Sequence, residues 1–198
     1  MYQWQEWFER KQAESQMKAE LIKLSEVKGW ETTPEAVQRP DGAFFKVVGV
    51  NIAPNGEREV LSWDQPILQE TGEGAIVLVY HDEKVLLQAR AEPGNDSTGH
   101  VLLGPTLQAS KSNLETAHGG KKPPRAELIS DDVVWHIFSQ DGGRYFHKKN
   151  HYAIVHLDKE IEASPSERWF SIKEICQAIS TGHANEHLMQ AFALLMCE

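Results

Sequence analysis

The sequence predicts a mixed α+β domain, because patterns typical of helices occupy both ends of the chain and patterns typical of strands fill the middle. The chain has 198 residues, of which 40% are hydrophobic and 25% are charged, as in globular proteins with one substantial core. We expect residues 1–30 to form an N-terminal helical extension and residues 31–198 to form a single module.

The N-terminal extension is predicted to be helical over residues 3–27. Trp4 and Phe8 are one turn apart on the same face, and a second apolar stripe runs from residue 17 to residue 24. A polar stretch separates the two stripes, so we expect them to contact different surfaces. Trp4, Trp7 and Phe8 together suit a surface for a partner protein or a second subunit.

The middle of the chain contains eight segments whose composition predicts strands. They cover residues 44–50, 59–63, 74–80, 84–89, 101–103 with a continuation to about 110, 132–138, 145–147 and 152–156. Turns are predicted at Asn55-Gly56 and at residues 141–143, and a basic loop at residues 119–125. The strand that carries Trp63 is expected to end at Pro66, because proline cannot donate a ladder hydrogen bond.

The C-terminal part predicts two helices with clear start signals. Ser171 and Glu174 have the spacing of a capping box for a helix over residues 172–180. Asn185 is a suitable N-cap for a second helix, which carries an apolar stripe. The order of helix, strands and helices fits the α+β class.

Charge and cysteine content limit the classes of function. The net charge of −9 argues against a general nucleic-acid binder, which needs a basic surface to neutralise phosphates. No apolar run of about 18 residues predicts a membrane helix, and the first residues do not resemble a secretory signal. The two cysteines, Cys176 and Cys197, do not make a disulfide framework, so we expect a cytoplasmic protein with free thiols.

The stretch GPTLQASKSN at residues 104–113 carries an unusual set of neutral polar side chains. If the chain stays extended, one face presents Thr106, Gln108, Ser110 and Ser112, and Lys111 lies on the other. A solvated surface strand usually carries charge. The polar face is therefore either a ladder satisfied by neighbouring strands or the wall of a pocket.

Three further groups of residues can carry chemistry. Glu92 and Asn95 flank a Pro-Gly turn, which is either an ordinary turn or the place of an acid, a base or a ligand for sugar hydroxyls. Trp63 offers a stacking surface and Gln65 a hydrogen bond. The segment from Tyr145 to residue 149 supplies phenol, imidazole and ammonium groups that suit a diphosphate, or is a plain surface strand.

A zinc site is a weaker alternative. The pairs His147/His151 and His183/His187 have the spacing that suits zinc on a helix. The first pair lies in a β-rich segment, where its members are roughly 13 Å apart, and the second crosses a predicted helix start. No third ligand is implied, so we predict no metal. Nucleophile-elbow, Walker and dinucleotide-binding motifs are absent from the sequence.

Three stretches are more specific than residue composition and can be compared with known families. They are SWDQPI at 62–67, EPGN at 92–95 and VLLGPTLQASKSNLETAHGG at 101–120. In this order and spacing they resemble the NDP-hexose 2,3-dehydratases of deoxysugar biosynthesis, and RWFSIKEI at 168–175 fits the same family. The resemblance extends from about residue 29 to residue 195. The family usually has Gln at the position of Leu102, Thr at Ser110, Arg at Lys111 and Tyr at Leu114.

The resemblance implies a Nudix-like fold, with a mixed β-sheet flanked by helices. Family members typically contain two such modules without the acidic hydrolytic box, and this chain contains no Glu-Glu pair. It resembles one module, so an isologous homodimer is expected to bring two modules together.

The resemblance also implies a substrate and a reaction. The substrate is a dTDP-linked 4-keto-6-deoxyhexose, which loses water across carbons 2 and 3 without a redox cofactor. A general base must be tunable toward neutral pH, which favours Glu92 and His118 as catalytic residues. The residues expected to bind substrate or stabilise the enolate are Trp63, Gln65, Asn95, Thr106, Gln108, Ser110, Lys111, Asn113, Tyr145 and Lys148.

Two other functions remain open from the sequence. A single module can act as a dehydratase or isomerase on another β-hydroxy ketone of a natural-product pathway. It can also be a module without catalysis that binds a nucleotide sugar or a partner protein.

Overall fold

The structure is a computed structural model that describes residues 3–53, 59–70 and 72–198, so the turn predicted at Asn55-Gly56 lies outside the described residues. The described helices are α1 (Gln3–Glu14), α2 (Lys111–Leu114), α3 (Ile172–Ser180) and α4 (Glu186–Leu195). The strands are β1 (Glu31–Thr32), β2 (Ala36–Gln38), β3 (Phe45–Ile52), β4 (Trp63–Glu70), β5 (Gly74–His81), β6 (Lys84–Ala91), β7 (Val101–Gly104), β8 (Leu107–Ala109), β9 (His136–Ser139), β10 (Lys149–His156) and β11 (Glu167–Ser171). This content confirms the predicted α+β class.

The strands form two sheets. A four-stranded antiparallel sheet has the order β1-β2-β3-β4. A seven-stranded mixed sheet has the order β11-β6-β5-β10-β9, with β7 paired to β6 and β8 paired to β5. The pairing of β5 with β10 is parallel and joins distant parts of the chain. At Leu68 and Tyr145 the small sheet also contacts the segment that connects β9 to β10.

The main core lies between the seven-stranded sheet and helices α1, α3 and α4. Strand β5 is buried because its β-branched and aliphatic side chains are covered on both faces. Helix α1 adds Trp4 and Phe8, which are fully or almost fully buried against Phe170 and His183. The prediction that the aromatic face of α1 is free for a partner is therefore wrong, since that face packs inside its own chain.

Helix α1 is also shorter than predicted, because it ends at Glu14 rather than near residue 27. The second apolar stripe finds nothing to pack against, and Leu21 is fully exposed. Without a buried face, a helix of this length gains little stability from packing. Just after the helix, Ser15 donates a hydrogen bond to the carbonyl of Gly99 (2.7 Å), which ties this part of the chain to the segment before β7.

Strand boundaries differ from the prediction in one place that affects the site. Strand β4 begins at Trp63 and continues through Pro66 to Glu70, so the prediction of a strand over residues 59–63 that ends at the proline is wrong. Pro66 lies opposite Gly49 in the ladder, on the outer strand of the four-stranded order. An edge position tolerates the missing N–H donor. Residues 145–147 make only a single bridge, at Tyr145. The short strands β1 and β2 and the strand β11 were not predicted.

The C-terminal helix starts are confirmed. Ser171 accepts a hydrogen bond from the Glu174 N–H, and the Glu174 side chain accepts from the Ser171 N–H, which completes the predicted capping box. Asn185 caps α4 by accepting from the Leu188 N–H at 2.9 Å. Because the Asn185 N–H also bonds to the Leu103 carbonyl, the start of α4 is held against β7.

Candidate active site

A polar cavity of about 200 Å³ lies where the start of α4 meets the ends of several strands of the larger sheet. Helix α4 contributes His187, strand β6 contributes Arg90 with Glu92 just after it, and strand β8 contributes Gln108. The remaining lining residues are Glu70, Gly74, Ile76, Ala109, Ser110, Asn113, Lys148 and Asn150. Five of the residues predicted from sequence therefore meet here: Glu92, Gln108, Ser110, Asn113 and Lys148.

The orientation of Glu92 is fixed by a chain of side-chain hydrogen bonds. Its Oε1 accepts from Arg90 Nε (2.9 Å) and from Gln108 Nε2 (3.1 Å). The Gln108 carbonyl in turn accepts from Asn185 Nδ2 (2.8 Å), while Asn185 Oδ1 is used by the Leu188 N–H. The helix cap thus sets the amide orientation of Gln108, which presents a donor to Glu92. Among the described residues, Oε2 of Glu92 receives no hydrogen bond and is available to a ligand.

His187 lines the same cavity and is held from behind by Tyr152. The Tyr152 hydroxyl lies 2.9 Å from His187 Nδ1, and it also contacts Gln190 Oε1 and, at 3.2 Å, Gln140 Nε2. Burial lowers the pKa of His187 to about 4, with the Glu92 carboxylate opposing this effect and Arg90 adding to it. The imidazole is therefore neutral at pH 7. Burial also raises the pKa of Tyr152 to about 12, so its hydroxyl stays protonated.

Lys148 forms the charged wall of the cavity. It is only 9% exposed, and its ammonium group pairs with Glu70 and donates to the Gly72 carbonyl at 3.1 Å. The neighbouring Asn150 is also buried, and its Oδ1 accepts from the Gly74 N–H at 2.9 Å. The ammonium group of Lys148 is thus already in an ion pair, unlike that of a lysine that is free to bind a ligand.

A second, larger cavity of about 590 Å³ adjoins the first, since Lys148 lines both. Trp63 and Gln65 reach it from β4, where Trp63 Nε1 donates to Gln65 Oε1 (2.7 Å) and Gln65 Nε2 donates to the Gly143 carbonyl (2.9 Å). Tyr145 and Lys149 also line it. Burial, together with the negative charge of Glu70, raises the pKa of Tyr145. An aromatic, mostly neutral wall beside a cluster of lysines suits a flat ring joined to an anionic group.

Four predicted site residues lie outside both cavities. His118 is exposed, and its Nδ1 accepts from the Gly120 N–H. Asn95 donates to the His100 carbonyl and so closes the turn after Glu92. Lys111 is at the surface and pairs with Glu115 at 3.7 Å.

Thr106 is the fourth, and it resolves part of the question raised by the polar stretch at residues 104–113. It is 1% exposed, and its hydroxyl donates to the Leu86 carbonyl and accepts from the Val79 N–H. Both the hydrogen-bond donor and an acceptor site of this hydroxyl are therefore used by neighbouring strands. Gln108 faces the cavity, whereas Ser110 caps α2 by accepting from the Asn113 N–H. The predicted alternation therefore stops where the short helix begins.

Sequence reasoning missed Arg90, His187, Glu70 and Asn150 as lining residues. Arg90 had a usable signal, because residues two apart on a strand share a face and Arg90 precedes Glu92 by two. His187 was noticed only as half of a zinc pair. Its partner His183 packs against Trp4 and Phe8 instead. Within the described ranges, no three His, Cys, Asp or Glu side chains gather in a way that could hold a metal ion.

Comparison with known proteins identifies the family of this chain. The sequence profile of the NDP-hexose 2,3-dehydratases matches residues 1–197. The chain belongs to this family. It is 29% identical over 203 residues to a dTDP-4-dehydro-6-deoxy-alpha-D-glucopyranose 2,3-dehydratase of Streptomyces violaceoruber, with 96% of this chain and 44% of that protein covered. It is also 29% identical over 195 residues to a protein of the same description from Saccharopolyspora spinosa, with 89% and 38% covered.

These coverages show that the chain spans less than half the length of the curated family members that it matches. Among solved structures, the fold is similar to that of an ADP compounds hydrolase at 12% identity and a TM-score of 0.47, with 91% of this chain and 95% of that chain covered. The Nudix-like fold stays a prediction for this member of the dehydratase family. None of its described helices is both long enough and apolar enough to cross a membrane.

Proposed function

We propose that this chain removes water across carbons 2 and 3 of a dTDP-linked 4-keto-6-deoxyhexose. The observation that carries the proposal is the cavity around Glu92, where a carboxylate oxygen without a hydrogen-bond partner among the described residues shares the cavity with amide, hydroxyl and imidazole groups. Its relatives are described as dehydratases of dTDP-4-dehydro-6-deoxy-alpha-D-glucopyranose, which supports the same substrate class.

The reaction needs only proton transfers and stabilisation of a transient anion. The proton at carbon 3 is acidic because the ketone at carbon 4 can take up the electron pair as an enolate. The carbon 2–oxygen bond then breaks, and the hydroxyl takes a proton and leaves as water. The enol that remains has its hydroxyl on carbon 3 and tautomerises to a 3,4-diketone. Donors from Asn113 and Ser110, which line the cavity, would stabilise the enolate oxygen.

The two adjoining cavities suggest how a nucleotide sugar is bound. The hexose would occupy the small polar cavity, and the nucleoside would occupy the larger one, with its base on Trp63. The diphosphate would lie between them. Lys149 is the better candidate than Lys148 to bind it, because Lys148 is already paired with Glu70 while no ion pair involves Lys149 within the described residues.

We also propose that the chain acts in the cytoplasm as a homodimer. Strand β9 is the outer strand of the seven-stranded order, and Ile137 on it is 55% exposed, which supports edge pairing with a second copy. Light scattering is expected to give twice the chain mass of 22.4 kDa. A particle of the single-chain mass would contradict the dimer.

The proposed reaction can be tested by incubating the chain with dTDP-4-keto-6-deoxyglucose in deuterated water. We expect NMR to show loss of the carbon 3 proton signal and of substrate, with Glu92→Gln much slower in both. Ser97→Ala serves as the matched control, since Ser97 lies in the loop that follows Glu92 and its hydroxyl donates to the Val101 carbonyl (2.8 Å), outside the cavity. Binding of the nucleotide sugar, measured by thermal shift, without exchange or turnover would indicate a binding module instead.

A further inference from the structure

The hydrogen-bond chain behind His187 determines which imidazole nitrogen carries the proton. Gln190 Nε2 donates to Glu186 Oε1 (3.1 Å), and a carboxylate can only accept. The amide oxygen of Gln190 must therefore point toward Tyr152, whose hydroxyl proton it accepts. With that single proton used, the Tyr152 oxygen can only accept from His187 Nδ1, which lies 2.9 Å away. His187 is thus held as the tautomer with the proton on Nδ1.

The other nitrogen, Nε2, is consequently an acceptor that faces the cavity. Nδ1 is turned toward Tyr152, and the ring of His187 lines the cavity. Nε2 has no hydrogen-bond partner among the described residues. It is also not enclosed, because Nη1 of Arg168 is the one side-chain polar atom there that is fully buried without a partner. A basic nitrogen is therefore open to a ligand in the cavity that also contains Glu92.

The charges around His187 favour a base rather than an acid. The charged groups that act on its pKa are Arg90 on β6, Glu92 just after β6 and Lys148 just before β10. Glu186 precedes it on the chain, and the Tyr152 hydroxyl lies beside it. Burial keeps the imidazole neutral, since the pKa of His187 is lowered to about 4. The Glu92 carboxylate in the same cavity acts in the opposite direction, because its negative charge raises the pKa of His187. The same charge would stabilise the imidazolium that forms when His187 accepts a proton.

We propose that Nε2 of His187 is the base that takes the proton from carbon 3 of the substrate, that Glu92 stabilises the imidazolium that forms, and that Tyr152 is a positioning residue. This inference rests on the proposed dehydration. The carbon 3–hydrogen bond breaks and its electron pair forms the enolate, while the proton moves to Nε2. As the carbon 2–oxygen bond breaks, the imidazolium gives that proton to the departing hydroxyl, which leaves as water. The imidazole ends neutral, and no co-reactant is consumed.

The kinetic test uses His187→Asn, because an asparagine amide can replace the Nδ1 donor to Tyr152 while it removes Nε2. We expect a loss in kcat on the order of 100-fold or more, with the melting temperature close to that of the wild type. His187→Ala should regain part of its activity when imidazole is added, which a structural role would not produce. The matched control is His156→Gln on β10, where the His156 ring is exposed and pairs with Glu198 at 2.9 Å. Dehydration by His187→Asn within threefold of wild type would overturn the inference.

The positioning role of Tyr152 can be tested by a separate measurement. Tyr152→Phe keeps the buried ring but removes the acceptor for Nδ1–H. We expect kcat to fall by about tenfold, the lower end of what is lost when a group that orients a reactive histidine is removed, while KM is unchanged. Nitrogen-15 NMR at neutral pH should show His187 protonated on Nδ1 in the wild type and a mixture of tautomers in Tyr152→Phe. A wild-type spectrum with the proton on Nε2 would overturn the inference.

The two proposals fail in different ways. If the wild type converts dTDP-4-keto-6-deoxyglucose and His187→Asn does so equally well, the dehydration stands and His187 is not its base. If the wild type does not exchange or convert this sugar, the proposed function fails. The assignment of His187 as the base for carbon 3 then fails as well. The NMR spectrum still shows which nitrogen of His187 carries the proton, and any other role of His187 as a base depends on this tautomer.

Discussion

His187 should make the folding stability of this protein depend on pH in a way that a single substitution removes. Its ordinary pKa in an unfolded chain is about 6.5, and burial lowers it to about 4 in the folded protein. Between those values the unfolded chain binds more protons at this position than the folded chain. The stabilising contribution is therefore fully present above the unfolded pKa and is lost as the pH falls toward the folded pKa.

The magnitude follows from the shift. Each pKa unit corresponds to about 1.4 kcal/mol, so acidification from about pH 7 to about pH 5 should remove roughly 2 kcal/mol through His187 alone. Further acidification toward the folded pKa should bring the loss to about 3 kcal/mol. The other eight histidines contribute equally to the wild type and to His187→Asn, so the difference between the two proteins isolates the one ring.

Urea denaturation of both proteins at the two pH values gives the required free energies of unfolding. We expect the wild type to lose roughly 2 kcal/mol more than His187→Asn over this interval. Equal losses in the wild type and in His187→Asn, within about 0.5 kcal/mol, would refute the claim that the folded protein keeps this imidazole neutral.

Three other predictions concern a buried ion pair, the proposed diphosphate contact and the buried phenol. Arg125→Ala should lower the free energy of unfolding by about 3 kcal/mol, because it removes both guanidinium contacts from the nearly buried Glu167; Arg125→Lys should recover only part of this loss in urea titrations. Lys149→Ala should raise KM on the order of tenfold without a change in kcat, and steady-state kinetics that show a fall in kcat instead would count against the diphosphate role. Ultraviolet absorbance titrations should show a tyrosine that ionises at about pH 12 in the wild type and is absent from Tyr152→Phe; the same step in both proteins would contradict this assignment.

The fold could be predicted from sequence where local signals agree with tertiary packing. The capping box at Ser171 and the cap at Asn185 are satisfied within a few residues of the chain, so their patterns specified the helix starts correctly. The length of the N-terminal helix was predicted wrongly, because its second stripe is apolar in sequence but has no surface to cover, as the exposed Leu21 shows. The strand end at Pro66 was predicted wrongly, because the effect of a proline depends on whether its strand lies at the edge of a sheet. The local sequence does not contain this information.

The site could be predicted only in part for the same reason. Glu92 and Gln108 were recognised because polar groups beside a turn and on a strand face stand out from their neighbours. His187 and Asn150, which were missed, reach them through helix α4 and through the parallel pairing of β5 with β10, which are contacts between distant parts of the chain. His118 illustrates the converse, since a histidine in a family motif can still lie at the surface, where it bonds to the Gly120 N–H.

The most direct test of the central claim, that the cavity around Glu92 carries out dehydration, is to look for the diketone product itself. Purified chain would be incubated with dTDP-4-keto-6-deoxyglucose and with ortho-phenylenediamine, which traps adjacent ketones as a quinoxaline, and the mixture analysed by mass spectrometry. We predict a quinoxaline adduct of a sugar nucleotide that has lost one water, formed by the wild type and reduced by a factor on the order of 100 or more in Glu92→Gln, which removes the carboxylate that stabilises the His187 imidazolium. An adduct formed at the same rate by both proteins, or none with the wild type, would contradict the account.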